Sequence, residues 1–242
     1  FASWAVAPAR AVIALPVGFS FDEGACLLGG TETAYHALVH RARVQAGETV
    51  LVLGATGSTG LAAVALAKLL GARVIAVGRS AAKLELAQQV GAHDVIAVRD
   101  DVRLRDEVKR LTDGRGADVI YDPIGGETSI AALRAAAFGA RFVVVGWSST
   151  PLAARGERDA NTLPTNLILM KSIDVLGSPA VIAVHRDPAI RSERLARILA
   201  WAAAGELRPH VGATFDIADV REALRAKWES RHPGNVVLRP DR

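Results

Sequence analysis

The chain of 242 residues is half hydrophobic and 22% charged, with a formal net charge of +4. This composition excludes disorder and provides apolar mass for one sizeable domain or two small ones, rich in Ala and Val and so suited to a packed α/β fold. The arginines are scattered, with no lysine-rich block and no basic run interleaved with aromatics, which argues against nucleic acid as a main partner and leaves a modest positive field suited to a small anionic ligand.

In chain order, the opening "FASWAVAPARAVIALPVGFSFDEGACL" predicts short strand-like pieces separated by prolines and reads as the remnant of another module. From Thr49 the pattern alternates "TVLVLG", a helix Ser58 to Leu70, "RVIAVG", a helix Ser80 to Val90, and "DVIAV", which is βαβαβ. Gly71 and Gly91 stand just past the two helices, where a left-handed residue closes a C-terminus, and Ser80 stands where it would cap the second. The next half repeats the plan: a helix over "DVRLRDEVKRLT", the strand "ADVIYD", a helix "ETSIAALRAAAF" ended by Gly139, and the strands "RFVVVG" and "SIDVLG". Six nearly all-apolar strands imply a doubly wound parallel sheet covered on both faces. The stretch "SSTPLAARGERDANTLPTN" predicts a long mobile loop near a site. After about Pro179 the pattern predicts a helix near Ser192 to Ala204, the strand "VGATFDI", a helix Ala218 to Trp228 and the strand "NVVLRP". Those two separated strands need a sheet to join.

Cys26 is the only cysteine, so no internal disulfide, structural zinc cluster or CxxC redox pair can form, and its apolar neighbours predict a buried, inert thiol. Lys68 and Arg73 break the longest apolar run, and the opening lacks the charged-then-apolar order of a signal peptide. A soluble chain in a reducing, cytoplasmic setting is expected, with no membrane contact.

The turn "GATGSTG", Gly54 to Gly60, lies between a predicted strand and helix, where a pyrophosphate meets the first free N–H groups of the helix. Gly57 would allow close approach and Gly60 would let the helix pack on the strand, although Ala55 occupies the first position of the usual GxGxxG pattern. A ligand-free strand-to-helix turn is the plain alternative. No Gly-Lys-Ser/Thr follows the strand and no Gly-x-Ser-x-Gly occurs, which excludes a triphosphate loop and a serine-hydrolase elbow. Tyr35 and Tyr121 are followed four residues on by Val39 and Gly125, so neither is a short-chain reductase tyrosine paired with lysine. At the end of the second strand, where an acid would accept bonds from the ribose hydroxyls of NAD, the chain has Gly78, Arg79 and Ser80, with Lys83 one turn on. Donors and positive charge there favour the 2′-phosphate of NADPH, against a plain reading of solvated charges.

Other candidates have structural readings beside the functional ones. His36 and His40, four apart, could share a metal, but Glu32 is the only acid near and a structural role is favoured. The turns Tyr121 to Gly126 and Val145 to Ser149 both follow predicted parallel strands and should open on the carboxyl edge where ligands bind. Trp147 is placed to lie beside a nicotinamide or to pack on its own loop, and Asp122, before Pro123, reads as a turn residue more than a base.

The segments "GETVLVLGATGSTGLAAVALAKLLGARVIAV", "YDPIGG", "GARFVVVG" and "GNVVL", in this order, resemble the medium-chain dehydrogenase/reductases, and most closely their zinc-free quinone oxidoreductase branch. The likeness runs through "TAYHAL" and "NLILMKSIDVLG" and covers essentially the whole chain. It implies a Rossmann domain binding NADPH against a GroES-like catalytic domain, with hydride passing to a small-molecule quinone or activated enone; an enoyl-thioester reductase of the same superfamily, or a cofactor-binding module inactive without a partner, are the alternatives. The family's cofactor contacts fall on Thr33, on Ala55, Thr56, Gly57, Ser58, Thr59 and Gly60, on Gly78, Arg79, Ser80 and Lys83, on Val145, Gly146, Trp147 and Ser148, and on Ser178. No catalytic residue and no metal ligand carries over. Members of the branch often place Tyr or His after the third strand, where this chain has Val98 and Arg99.

Relative to the family, roughly a hundred N-terminal residues, the bulk of a catalytic domain of ordinary size, are missing. The resemblance therefore implies residues 1–26 as the end of a GroES-like domain, 27–179 as the Rossmann domain and 180–242 as a segment returning to the first domain. A fragment, a processed chain or half of a split enzyme is expected, with Trp4, Val6, Val12 and Ile13 exposed unless another chain covers them. It also implies a homodimer through the edge strand near Ser172 to Gly177.

Overall fold

The computed structural model describes residues 2–98, 103–149 and 162–240. Thr49–Val52 (β1), Arg73–Gly78 (β2), Asp94–Ala97 (β3), Ala117–Asp122 (β4), Ala136–Val144 (β5) and Asp174–Gly177 (β6) form one parallel sheet in the order β3-β2-β1-β4-β5-β6. It is the doubly wound Rossmann order, reversing between β1 and β4.

Strand alternation divides the core. Val50, Val52, Val74, Ala76, Val119, Tyr121 and Val143 point to one face, while Leu51, Leu53, Ile75, Val77, Ile120 and Phe142 point to the other. Helices Phe21–Tyr35 (α1), Ser58–Leu69 (α2) and Ala81–Val90 (α3) cover the first face, and Leu104–Leu111 (α4), Gly126–Ala135 (α5) and Thr165–Lys171 (α6) cover the second. Gly71 and Gly91 take positive φ, +77° and +139°, just past α2 and α3 as the sequence predicts. Ser80 is the N-cap of α3, but its side chain makes no capping bond.

Three expectations are corrected. No strand occurs among residues 2–20; one 3₁₀ turn, Ala9–Ala11, is followed by α1, which crosses residue 26. The overlooked signal is a capping box, in which Ser20 Oγ accepts from Glu23 N and the Glu23 carboxylate accepts from Ser20 N at 2.8 Å. Second, α5 ends at Ala135, short of Gly139. The run "AAFGAR" already belongs to β5, where pairing shifts from Ala117↔Ala136 to Val119↔Arg141 and Gly139 supplies φ +73° in the bulge. An Ala-rich run carries no period that separates helix from strand. Third, Val211–Asp216 (β7) and Asn235–Arg239 (β8) join no larger sheet; they pair with each other in parallel, with Val220–Trp228 (α9) as crossover.

Helices Ala180–Arg186 (α7) and Ala189–Ala203 (α8) precede that small sheet. α1 is the common support: α8, β7 and β8 all pack on it. Arg239 pairs with Asp22, and Arg208 with Glu23 at 3.0 Å, so two cations of the tail meet the acidic first turn of α1. Trp4, Val6 and Val12 are exposed and Ile13 is half-buried. No helix among the described residues is long and apolar enough to cross a membrane.

The Arg239 guanidinium holds the Asp22 carboxyl below its ordinary range, chiefly through its hydrogen bond. The stability this supplies is complete above the unfolded carboxyl pKa of about 4 and is lost as pH falls through the lower folded value. Asp22→Asn should therefore flatten the acid limb of a Tm-against-pH curve below about pH 4, while costing no more than about 1 kcal/mol at pH 7 because the pair is partly exposed.

Candidate functional site

The site is built where the sheet reverses order. β1 runs into Gly54, whose φ of +60° turns the chain, and Ala55 N donates to Val77 O at 2.9 Å while Gly57 N donates to Gly54 O at 3.0 Å. α2 then starts flush on this turn. A Cβ on Gly60 would lie 2.2 Å from Gly54 O and 2.8 Å from Ala55 Cα, so only glycine lets the helix come this close.

Gly57 is different. Its φ of −83° is open to any residue, and a Cβ there would meet only Gly54 O, at an ordinary 3.5 Å. No protein contact demands glycine at the N-cap of α2, and no side chain caps the helix. An uncapped N-terminus with an open approach over Gly57 suits a phosphate, held by backbone N–H groups and the helix dipole. Thr56, Ser58 and Thr59 line it, half-buried, and the buried Tyr121 hydroxyl beside Thr59 is raised above its ordinary pKa by burial, with the Thr59 side chain opposing the rise.

The other predicted residues arrive at the same carboxyl edge from neighbouring strands. Gly78, buried, ends β2 beside Thr56 and Leu84. Arg79 is exposed, Ser80 half-buried, and Val98 N donates to Gly78 O at 2.8 Å. Lys83 donates Nζ to Ser230 O, in the loop after α9. Val145 and Gly146 follow β5, both N–H groups reaching Asp122 O, and Trp147 and Ser148 continue outward, Trp147 being 47% exposed. Ser178, after β6, is buried, with N donating to Val144 O at 3.0 Å and Oγ unpartnered among the described residues. Thr33 stands apart on α1, its hydroxyl donating to Gly29 O at 3.0 Å. Arg99 and most of the predicted loop after Ser149 lie outside the described residues.

The sequence reading missed one participant. Gly234 N donates to Thr56 O at 2.9 Å, and Gly234 bridges Gly57, so the loop between α9 and β8 clasps the glycine turn. The signal was Pro233-Gly234 before a terminal strand, a turn element with φ +71° at the glycine.

A six-residue π-helix, His36–Arg41, extends α1 and brings His36 Nδ1 within 3.3 Å of His40 Nδ1. The short distance requires one donor and one acceptor, and burial, helped by His40, Arg194 and Arg41, lowers His36 to a pKa of about 4. Among the described residues, no group of three or more His, Cys, Asp or Glu is placed to hold a metal. Cys26 is buried and its thiol is pushed up by burial.

A family model described as zinc-binding dehydrogenase matches residues 58–187. The chain belongs to the zinc-binding dehydrogenase family. Within this family it is similar to the quinone oxidoreductase-like protein 2 of Rattus norvegicus, 34% identical over 93% of this chain and 62% of the relative. It thus spans less than two thirds of the length of this curated relative. Among solved structures, the quinone oxidoreductase from Thermus thermophilus, determined also as its NADPH complex, superposes with a TM-score of 0.81 at 31% identity over 96% of this chain and 71% of the other. The JamJ enoyl reductase superposes at 0.80 with 28% identity over 95% and 66%. These likenesses place the chain among the medium-chain dehydrogenase/reductases, on the quinone oxidoreductase-like branch. The zinc of the family's description finds no fitting ligand set among the described residues.

The contrast between the two glycines is measurable. Gly60→Ala should lower stability by roughly 2–4 kcal/mol through overpacking against backbone, whereas Gly57→Ala should cost under about 1 kcal/mol, as measured by urea unfolding. His36, neutral when folded, binds its proton in the unfolded chain first; stability is full above about pH 6.5 and falls toward pH 4 with a slope of up to about 1.4 kcal/mol per pH unit. His36→Gln should remove that slope from the acid unfolding profile.

Proposed function

We propose that this chain forms the cofactor half of an NADPH-dependent oxidoreductase that passes hydride to a quinone or activated enone. The observation that carries the reading is the open approach over Gly57 at an uncapped α2, in a chain 31% identical to a quinone oxidoreductase solved with NADPH. The backbone N–H groups of Ser58, Thr59 and Gly60 hold the pyrophosphate. Arg79 and Lys83 take the 2′-phosphate, Lys83 trading the Ser230 carbonyl for the anion. Val145 to Ser148 and the Ser178 hydroxyl orient the nicotinamide. When bound, NADPH supplies the hydride, and the protein supplies binding, orientation and exclusion of water.

The similarity to the JamJ enoyl reductase favours an enoyl thioester as the second substrate class. In this proposal residues 27–179 serve the cofactor and 180–242 a substrate-binding domain, with α1 continuous across residue 26. The open edge of β6, where Val175 is exposed, together with the exposed Leu169 and Met170 of α6, joins two copies as a homodimer. A reducing, cytoplasmic setting suits the single buried thiol.

A fluorescence titration decides the cofactor: saturable NADPH binding is expected, and none would overturn the reading. Arg79→Asp should shift the NADPH-to-NADH affinity ratio toward NADH by about tenfold or more; an unchanged ratio removes Arg79 from the 2′-phosphate. NADPH oxidation with a simple quinone, compared with an enoyl thioester and with the relatives' N-terminal segment supplied in trans, separates the two substrate classes from a cofactor module inactive alone.

A further inference from the structure

Asp122 is 2% exposed at the end of β4, yet its carboxylate is fully engaged. Oδ1 accepts from Ile124 N at 2.8 Å and Gly125 N at 3.1 Å, and Oδ2 accepts from the Ser129 hydroxyl on α5. Burial raises the carboxyl pKa and these three donors oppose the rise. The turn they fix is one that side chains resist, with φ of +78° at Gly125 and +66° at Gly126.

The carbonyls of that turn are the seats of the next loop. Pro123 O accepts from Ser148 N at 3.1 Å, Ile124 O accepts from Ser149 N at 2.9 Å and from Ser149 Oγ at 2.8 Å, and Gly125 O accepts from Ser149 Oγ at 3.0 Å. Gly146 lies against the same turn, where a Cβ would come within 3.2 Å of Pro123 O. A carboxylate that makes no hydrogen bond to residues 145–149 thereby sets where they stand.

We propose that Asp122 is a positioning residue for the nicotinamide end of the site, acting through the Pro123–Gly125 turn on the loop 145–149. This rests on the reading that a nicotinamide cofactor binds at the carboxyl edge. Asp122 holds no proton for the reaction and touches no reacting atom; it keeps the loop in place before a ligand arrives.

Amide hydrogen exchange on the ligand-free chain tests the positioning without any cofactor. With three hydrogen bonds lost, each worth roughly a fivefold factor, Asp122→Ala should speed exchange at residues 145–149 by about tenfold or more while β1 and α2 stay within about twofold. Asp122→Asn keeps the Oδ1 acceptor and offers its amide to the Ser129 oxygen, so it should restore protection to within about threefold of wild type. In titrations, Asp122→Ala should weaken NADPH about tenfold and leave 2′,5′-ADP, which lacks nicotinamide, within about twofold. Exchange at 145–149 that stays at the wild-type rate, or that rises equally in β1 and α2, overturns the proposal. If Asp122→Ala does not fold, Ser129→Ala decides on the same segment: a local rise supports the positioning and an unchanged rate refutes it. A wild-type chain that binds neither NADPH nor 2′,5′-ADP would defeat the functional reading alone, because the exchange result stands without a ligand.

Discussion

The contact on which the site depends is the one between Gly60 and the backbone of Gly54 and Ala55, with no room for a single methyl group. It brings the first turn of α2 directly over the end of β1, so the free N–H groups open at the point where the sheet reverses order. Were the helix to stand off by the width of a side chain, its dipole would end over solvent and the crevice beside β4 would lose its floor. The neighbouring helix repeats the device: Gly30 of α1 approaches Ser58 O, where a Cβ would lie at 2.9 Å. Close backbone packing of α1, α2 and the turn is thus one continuous arrangement, and the tail inherits its position from α1.

Two kinds of glycine occur in the turn. Gly54 and Gly60 answer to the protein, through a positive φ and a close approach, while Gly57 answers to neither. Its smallness serves what comes to the turn from outside. Sequence spacing alone treats the three alike; the distances separate them.

Much of this is legible without coordinates. β2 and β4 coincide with their predicted spans and α2 with its start at Ser58, because β-branched runs bounded by glycine and a long apolar helix carry unambiguous periods. The Ala-rich stretch after Leu133 misleads because alanine fits a helix and a buried strand equally, and the prolines before Ser20 conceal a capping box that only the spacing Ser20–Glu23 reveals. The glycine turn and the β2 end can be placed from local pattern. The roles of Gly234 and Asp122 cannot, since both act through contacts distant in sequence or through a second loop, and no local period encodes such contacts.

The bond from Gly234 to Thr56 joins residues far apart in the chain. In order of synthesis, the glycine turn emerges early but must wait for residue 234 before its outer side is closed. Sheet, helices and core can form around β1 first, as their contacts are mostly nearer in sequence. The outer side of the turn is closed only when the small β7–β8 sheet is in place on α1, and a chain without that contact leaves the Thr56 carbonyl unclaimed.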